Sequence, residues 1–197
     1  IHGNGDAAIE DILDAFEAAQ KVHPVEDPRM ILIHAQMARE DQIARMKALG
    51  VTPSFFTAHT WYWGDRHRDI FLGPQRAAQI SPSKWALDYG LHFSSHLDTP
   101  VTPMQPLQAV WSQVFRETTS GDVLGPQQRI SVMDALRAVT IDAAWQVFQE
   151  SNRGSLNPGK YADLVVLSGD ILDDPKAMRD LKVERTVIGG ATVYRAP

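Results

Sequence analysis

Four short apolar segments of this chain each lead into a side chain of a kind that binds metal ions. Three of them end in a histidine (His2, His34 and His59), and the fourth carries both His96 and Asp98. Neutral imidazoles and carboxylates are common protein ligands of divalent transition metals in hydrolytic sites. The residue types therefore indicate a metal centre, provided that the fold brings these side chains to one place.

Each of these residues also has an ordinary explanation when it is taken alone. A single histidine at a strand end is more often a hydrogen-bonded core or loop residue. Asp98 stands before Thr99-Pro100, which is typical of the start of a turn. His96 shares a strand face with Asp98 because two positions separate them, and a structural role is the favoured interpretation, with a supporting contact to the ligands as the alternative. Ordinary loop or surface roles are expected for His23, His67 and His92.

The spacing of the histidines predicts the elements that position them. His34 lies 32 positions after His2, and Asp98 lies 64 positions after His34. A strand-helix unit takes on the order of 30 residues. Helical periodicity at 6–21 and 38–49 separates the predicted strands at 29–34 and 51–58. This alternation predicts parallel strands whose carboxyl ends meet at one edge, as in a barrel.

The remaining two thirds of the chain divide into an irregular, a helical and a β-rich part. Residues 60–82 predict a long loop, in which the aromatic side chains near Trp61 are candidates for substrate contacts. A short helix at 83–89 and a strand at 91–96 follow, and then helices at 105–117, 131–139 and 141–150. The tail predicts a strand at 162–167 and a hairpin around Gly189-Gly190.

Composition excludes several classes of partner. The net charge is −5, whereas a nucleic-acid footprint would be basic. No apolar run approaches the roughly 20 residues that span a bilayer. We therefore expect no nucleic acid and no membrane among the partners. The chain has no cysteine, which suits the cytosol as well as the periplasm, and the cytoplasm is the default expectation.

Five motifs follow one another along the chain. They are Ile1-His2-Gly3-Asn4-Gly5-Asp6-Ala7-Ala8, Ile33-His34-Ala35-Gln36, Ser95-His96-Leu97-Asp98-Thr99-Pro100-Val101, Arg137–Ala144 and Gly154–Leu167. In this order they resemble the fifth, sixth and eighth barrel strands of the amidohydrolase superfamily, the helix that follows and the return to a small β-sandwich domain. The subgroup with the greatest resemblance is amidohydrolase family 3, which includes N-substituted formamide deformylase.

The resemblance implies an α/β fold: the C-terminal half of a distorted TIM (β/α)8 barrel over 1–152 and part of a β-sandwich over 153–197. It implies that His2, His34 and Asp98 bind one or two divalent transition-metal ions, with zinc as the expected metal. Asp98 would also be the catalytic base, while His59 and Trp61 would contact the substrate. The implied reaction is hydrolysis of a non-peptide C–N bond in a small amide or formamide.

One departure from the family leaves alternatives open. No His-x-His occurs in this sequence, although the superfamily carries that motif on its first barrel strand. We therefore expect this chain to be the C-terminal portion of the protein, with the N-terminal half of the barrel in the same chain or a separate one. The alternatives are a non-catalytic or degenerate chain with a structural or regulatory role, and a different hydrolytic reaction on the same scaffold.

Overall fold

Four short parallel strands form a sheet whose order follows the chain. In this computed structural model, which describes residues 1–197, they are β1 (His2–Gly3), β2 (Met30–His34), β3 (Val51–Phe55) and β4 (Ser94–Ser95). Ile33 lies opposite His2 on one side and Ser54 on the other, and Ser54 in turn lies opposite Ser94. The predicted alternation of strand and helix is therefore confirmed for the first half of the chain.

The two helices that join these strands form where the apolar periodicity predicts them. They are α1 (Asp6–Val22) and α2 (Glu40–Leu49). Ile9 and Leu13 of α1 are fully buried, as are Ile43 and Met46 of α2. Gly50 adopts a φ of 68° after α2 and ends it, since a left-handed residue favours glycine.

The predicted loop at 60–82 is wrong, because most of this segment is helical. It contains α3 (His59–Arg66), a π-helical turn (His67–Phe71) and α4 (Gly73–Ala77), and α5 (Ser83–Asp88) follows. The sequence of this segment lacks apolar periodicity, and tertiary contacts hold its helices in place instead. Asp65 accepts hydrogen bonds from the hydroxyls of Thr118 and Ser120, which attach α3 to a distant loop.

The second half of the chain contains three helices followed by an antiparallel sheet. The helices are α6 (Pro106–Phe115), α7 (Val132–Ala138) and α8 (Ile141–Gln146). The sheet consists of β5 (Leu164–Leu167), β6 (Val183–Ile188) and β7 (Ala191–Arg195), with a 3-10 helix at Pro175–Arg179. The predicted hairpin is confirmed, with Ile188 opposite Ala191 across the turn.

One large apolar core connects the helices to the parallel sheet. It contains 20 buried hydrophobic residues, among them Leu32 and Phe55 from the sheet. Ile171 and Met178, from the segment between β5 and β6, belong to the same core. The C-terminal segment is therefore anchored to the α/β part by burial of apolar side chains.

The structure contains no helix that is both long and apolar enough to cross a bilayer.

The loop after α6 is held by a buried arginine and a tightly packed glycine. Arg116 is 1% exposed and donates hydrogen bonds to the carbonyl oxygens of Leu124, Ile80 and Ser81. Gly125 has a φ of 63°, and a Cβ at this position would lie 1.8 Å from the carbonyl oxygen of Ala78. A side chain at position 125 would therefore separate this loop from the end of α4.

We predict that Gly125→Ala destabilises the protein by about 3 kcal/mol or more, because backbone atoms must move to admit a methyl group. Gly73→Ala is the matched control, since Gly73 has a φ of 73° and a Cβ added there would meet no atom within 4 Å. Gly73→Ala should therefore lower the free energy of unfolding only by the strain of a left-handed alanine, about 1–2 kcal/mol. Urea unfolding measures both free energies, and equal losses would contradict the packing argument.

Candidate metal centre

Four histidines and Asp98 gather at the carboxyl ends of the parallel strands. The ring centroids of His2 and His34 lie 4.6 Å apart, and those of His34 and His96 lie 4.9 Å apart. The ring of His59, from the first turn of α3, is stacked 6.0 Å from that of His34. His34 is thus the central member of the group, because all three of the other rings lie beside it.

The backbone at the end of β2 turns His34 toward this group. Ile33 and Ser54 lie opposite each other in the sheet, so regular alternation would place the His34 side chain on the face opposite to Ser54. His34 and Ala35 instead adopt φ values of 71° and 45°. Left-handed conformations cost a non-glycine residue of order 1–3 kcal/mol and cluster at functional sites.

Three of these residues have ligand atoms close enough to share one cation. Nε2 of His34 lies 3.6 Å from Oδ2 of Asp98, and Nε2 of His96 lies 3.5 Å from Oδ1 of Asp98. Two ligand atoms on a tetrahedral ion with bonds of about 2.1 Å are separated by about 3.4 Å. One donor atom each from His34, His96 and Asp98 lie within 4.8 Å of one another. The donor set therefore fits a small divalent ion.

Burial keeps two of these imidazoles neutral. Desolvation lowers the pKa of His34, with a smaller opposing effect from the Asp98 carboxylate and a further lowering by His2. Desolvation likewise lowers the pKa of His96 to about 4, helped by His34 and opposed by Asp98. A metal ligand must present a neutral imidazole, and burial favours that form of His34.

His59 is neutral as well but has no hydrogen-bond partner on one side. Its pKa is lowered to about 3, chiefly by burial and then by the neighbouring His67, His34 and His96. Its Nδ1 atom is buried without a partner, whereas Nε2 is not among the buried unpaired atoms. The ring packs on Phe56 at 4.2 Å between centroids. His59 thus presents a fixed, uncharged imidazole to the group.

His67, which we expected to be an ordinary loop residue, lies beside His59. Their ring centroids are 5.8 Å apart. Nδ1 of His67 lies 2.8 Å from the carbonyl oxygen of Trp63 and donates to it, so Nε2 accepts from the amide of Gln36 at 2.8 Å. The spacing of His59, Trp63 and His67 at i, i+4 and i+8 was the signal for this placement, because such residues share a helix face.

Trp61 and His92 lie outside the group. Trp61 is two positions from His59 on α3 and points elsewhere, packing edge-on against Trp111 at 5.2 Å between ring centroids with the Arg179 guanidinium 3.9 Å above its ring. The substrate contact of Trp61 remains a prediction that this packing does not support. His92 precedes β4, at the opposite end of the strands, and its Nδ1 lies 2.8 Å from a carboxylate oxygen of Asp142.

Comparison with known proteins decides the family. The amidohydrolase family (family 3) matches residues 1–194. The chain belongs to this family. N-substituted formamide deformylase from Arthrobacter pascens is 33% identical over 195 residues, which cover 98% of this chain and 36% of that enzyme. Across the curated relatives that it matches, this chain spans 33%, 36% and 37% of their lengths.

Solved structures of amidohydrolases share the architecture. An uncharacterized metal-dependent hydrolase from Pyrococcus horikoshii OT3 has a TM-score of 0.72 and 26% identity, over 87% of this chain and 34% of that one. An amidohydrolase from Thermotoga maritima MSB8 has a TM-score of 0.68 and 22% identity, over 99% of this chain and 43% of that one. The parallel and antiparallel sheets thus match part of amidohydrolase structures. A metal-dependent neighbour and a His/Asp cluster together suggest a metal.

We predict that the protein binds Zn²⁺ and that His34→Ala weakens binding at least about 10-fold, because loss of a ligand costs no less than the roughly 10–100-fold lost with a partner that supports one. His92→Ala is the control, since His92 also pairs with a carboxylate but has no third ligand nearby. Competition with a chromophoric chelator measures both affinities. Absence of Zn²⁺ binding in the unaltered protein would instead favour a non-catalytic chain.

Proposed function

We propose that this chain supplies the catalytic half of a metal-dependent amidohydrolase that hydrolyses a non-peptide C–N bond of a small amide or formamide. Family membership supports a hydrolase, and the His34–Asp98 pair is the observation that carries the metal dependence. The similarity to N-substituted formamide deformylase supports the C–N bond class. A different hydrolytic reaction on the same scaffold is the alternative that a substrate screen tests.

The proposed metal ligands are His34, Asp98 and His2. His34 and Asp98 approach each other at the spacing of two ligands, and the His2 ring on the neighbouring strand lies nearly perpendicular to that of His34, 4.6 Å away between centroids. A divalent ion bound there would lower the pKa of a coordinated water and polarise the scissile carbonyl. Zinc is the proposed metal because histidine and aspartate ligands suit it, although they also serve other transition metals.

Asp98 is the proposed general base and acid. Its side chain is about one-third exposed (36%), so it can reach both the buried ring of His34 and a molecule in the open part of the site. In this role Asp98 takes a proton from the attacking water and returns it to the leaving nitrogen. His96 and Asp98 also line a cavity of about 340 Å³, whose apolar wall includes Met104, Pro106 and Val139. That cavity would accept the apolar part of the substrate.

His59 is the proposed contact to the substrate carbonyl oxygen. Nδ1 is buried and unpaired, so the Nε2–H tautomer leaves the donor on the side that is not buried. A neutral imidazole that donates a hydrogen bond can stabilise negative charge as it develops on a carbonyl oxygen. The proposed substrate contact therefore uses the one ring nitrogen that can reach a ligand.

We propose that residues 1–152 form the C-terminal half of a (β/α)8 barrel and that residues 153–197 form part of a β-sandwich. The sheet order leaves β1 and β4 paired on one side only, at the two edges where further barrel strands would bind. Apolar side chains of the antiparallel sheet are also exposed, including Ile188 at 57% and Val193 at 58%. An N-terminal half-barrel, in the same chain or a separate one, is the proposed partner.

We predict that Asp98→Asn lowers kcat roughly 10²–10⁴-fold in the protein with its complete barrel, because the amide cannot accept the proton of the attacking water. The fold should remain intact, as circular dichroism can check. Asp173→Asn is the control, since Asp173 is exposed and lies outside the site. The assay measures release of amine from N-acyl and N-formyl amines, and near-normal turnover of the Asp98 variant would refute the role.

We predict that His59→Phe lowers kcat about 10²–10³-fold, since it removes a hydrogen-bond donor from the carbonyl oxygen while keeping the ring volume. Zn²⁺ affinity should change little, because His59 is not among the proposed ligands. His92→Phe is the matched control outside the site. Steady-state kinetics and chelator competition on the same variants separate the two effects, and a loss confined to metal binding would contradict the assignment.

A further inference from the structure

An imidazole that binds a metal uses one ring nitrogen, and the partner of the other nitrogen decides which one is available. The two nitrogens of His34 have different neighbours. Nε2 faces Asp98 Oδ2 at 3.6 Å, and Nδ1 faces Nε2 of His96 at 3.2 Å. A metal shared by His34 Nε2 and Asp98 therefore leaves Nδ1 of His34 to interact with His96.

A chain of buried polar groups continues from His96 into the sheet. Nδ1 of His96 lies 2.9 Å from Oγ of Ser54, and Oγ of Ser94 donates a hydrogen bond to the same Ser54 atom at 2.8 Å. Ser54 and Ser94 are 6% and 7% exposed and lie opposite each other on adjacent parallel strands. The sheet register thus fixes the position of the hydroxyl that meets His96.

The protons of this chain have one arrangement that suits a metal on His34 Nε2. Nδ1 of His34 must then carry the ring proton, and His96 Nε2 accepts it. The proton of His96 accordingly lies on Nδ1 and is donated to Ser54. A serine oxygen has two lone pairs, so Ser54 Oγ can accept from both His96 and Ser94. Every nitrogen of the two rings then has a partner.

We propose that His96, supported by Ser54 and Ser94, is a positioning residue that holds His34 as the Nδ1–H tautomer and directs its Nε2 lone pair to the metal. This proposal rests on the proposed metal site at His34 and Asp98. The competing arrangement makes His96 itself a ligand, which its distance of 3.5 Å to Asp98 Oδ1 would permit. The proposed arrangement is a hydrogen-bonded relay from His34 through His96 to Ser54 and Ser94. This relay also accounts for the two serine hydroxyls that are buried behind His96.

The first test is the tautomer of His34 in the Zn²⁺-loaded protein, read by long-range ¹H–¹⁵N correlation NMR. The proposal expects a proton on Nδ1 of His34 and a proton on Nδ1 of His96, with Nε2 of His96 free of metal. A zinc-shifted Nε2 of His96, or a proton on Nε2 of His34, would overturn it. This readout does not depend on turnover.

The second test compares the Zn²⁺ affinities of four variants by chelator competition. His96→Leu should weaken binding 10–100-fold, the range for loss of a supporting partner of a metal ligand. His96→Gln should recover most of that loss, because its amide oxygen can accept from His34 while its amide nitrogen donates to Ser54. Ser54→Ala should weaken binding by a smaller factor, whereas Ser95→Ala, on the opposite face of β4, should not.

The outcomes separate this proposal from the proposed function. Failure of the unaltered protein to bind Zn²⁺ would remove the metal site and the relay together. Zinc binding with equal losses in His96→Leu and His96→Gln would keep the metal site and make His96 a ligand. Zinc binding that neither His96 variant changes would keep the metal site and refute any role for His96.

Discussion

The left-handed backbone at the end of β2 is the constraint on which the site depends. A regular strand would direct His34 to the side of the sheet that carries Leu32, since side chains two positions apart share a face. Leu32 is fully buried in the apolar core. The φ values of 71° at His34 and 45° at Ala35 break this alternation. The imidazole consequently meets His2, His96 and Asp98 instead of the core.

The sheet that carries this turn has two chemically different faces. Toward the helices it buries apolar side chains such as Leu32, Phe55 and Phe93. The other face carries Ser54 and Ser94, and the ring of His96 is hydrogen-bonded to the hydroxyl of Ser54. Burial of the first face supplies the free energy that holds the strands in register, since apolar burial contributes about 25 cal/mol per Å². The polar face can therefore be organised around a site without having to stabilise the fold itself.

The arrangement also explains how four short parallel strands bring candidate metal ligands together. Parallel strands in chain order bring their carboxyl ends to one edge, where loops of successive units converge. Here that edge collects His34, His59, His96 and Asp98 from three successive strand ends, together with the Gln36–His67 pair. The N-terminal ends of the same strands carry a separate cluster, in which Arg29 stacks on Trp145 at 4.1 Å and His92 pairs with Asp142. The candidate metal centre and this second cluster therefore lie at opposite ends of the strands.

The sequence by itself determined the order and type of most elements and the family, and it named His34 and Asp98 as candidate ligands. Apolar periodicity located α1 and α2, and Gly189-Gly190 located the hairpin, because these signals are local. The motifs around His34 and Asp98 predict a metal site, and the structure brings these two side chains close together. Only the tertiary structure showed that residues 60–82 are largely helical, since hydrogen bonds from Thr118 and Ser120 to Asp65 come from far along the chain. It likewise decided the places of His67, Trp61 and His96. Those depend on which helix face and which strand register meet in space, and no local pattern encodes such contacts between segments that lie tens of residues apart.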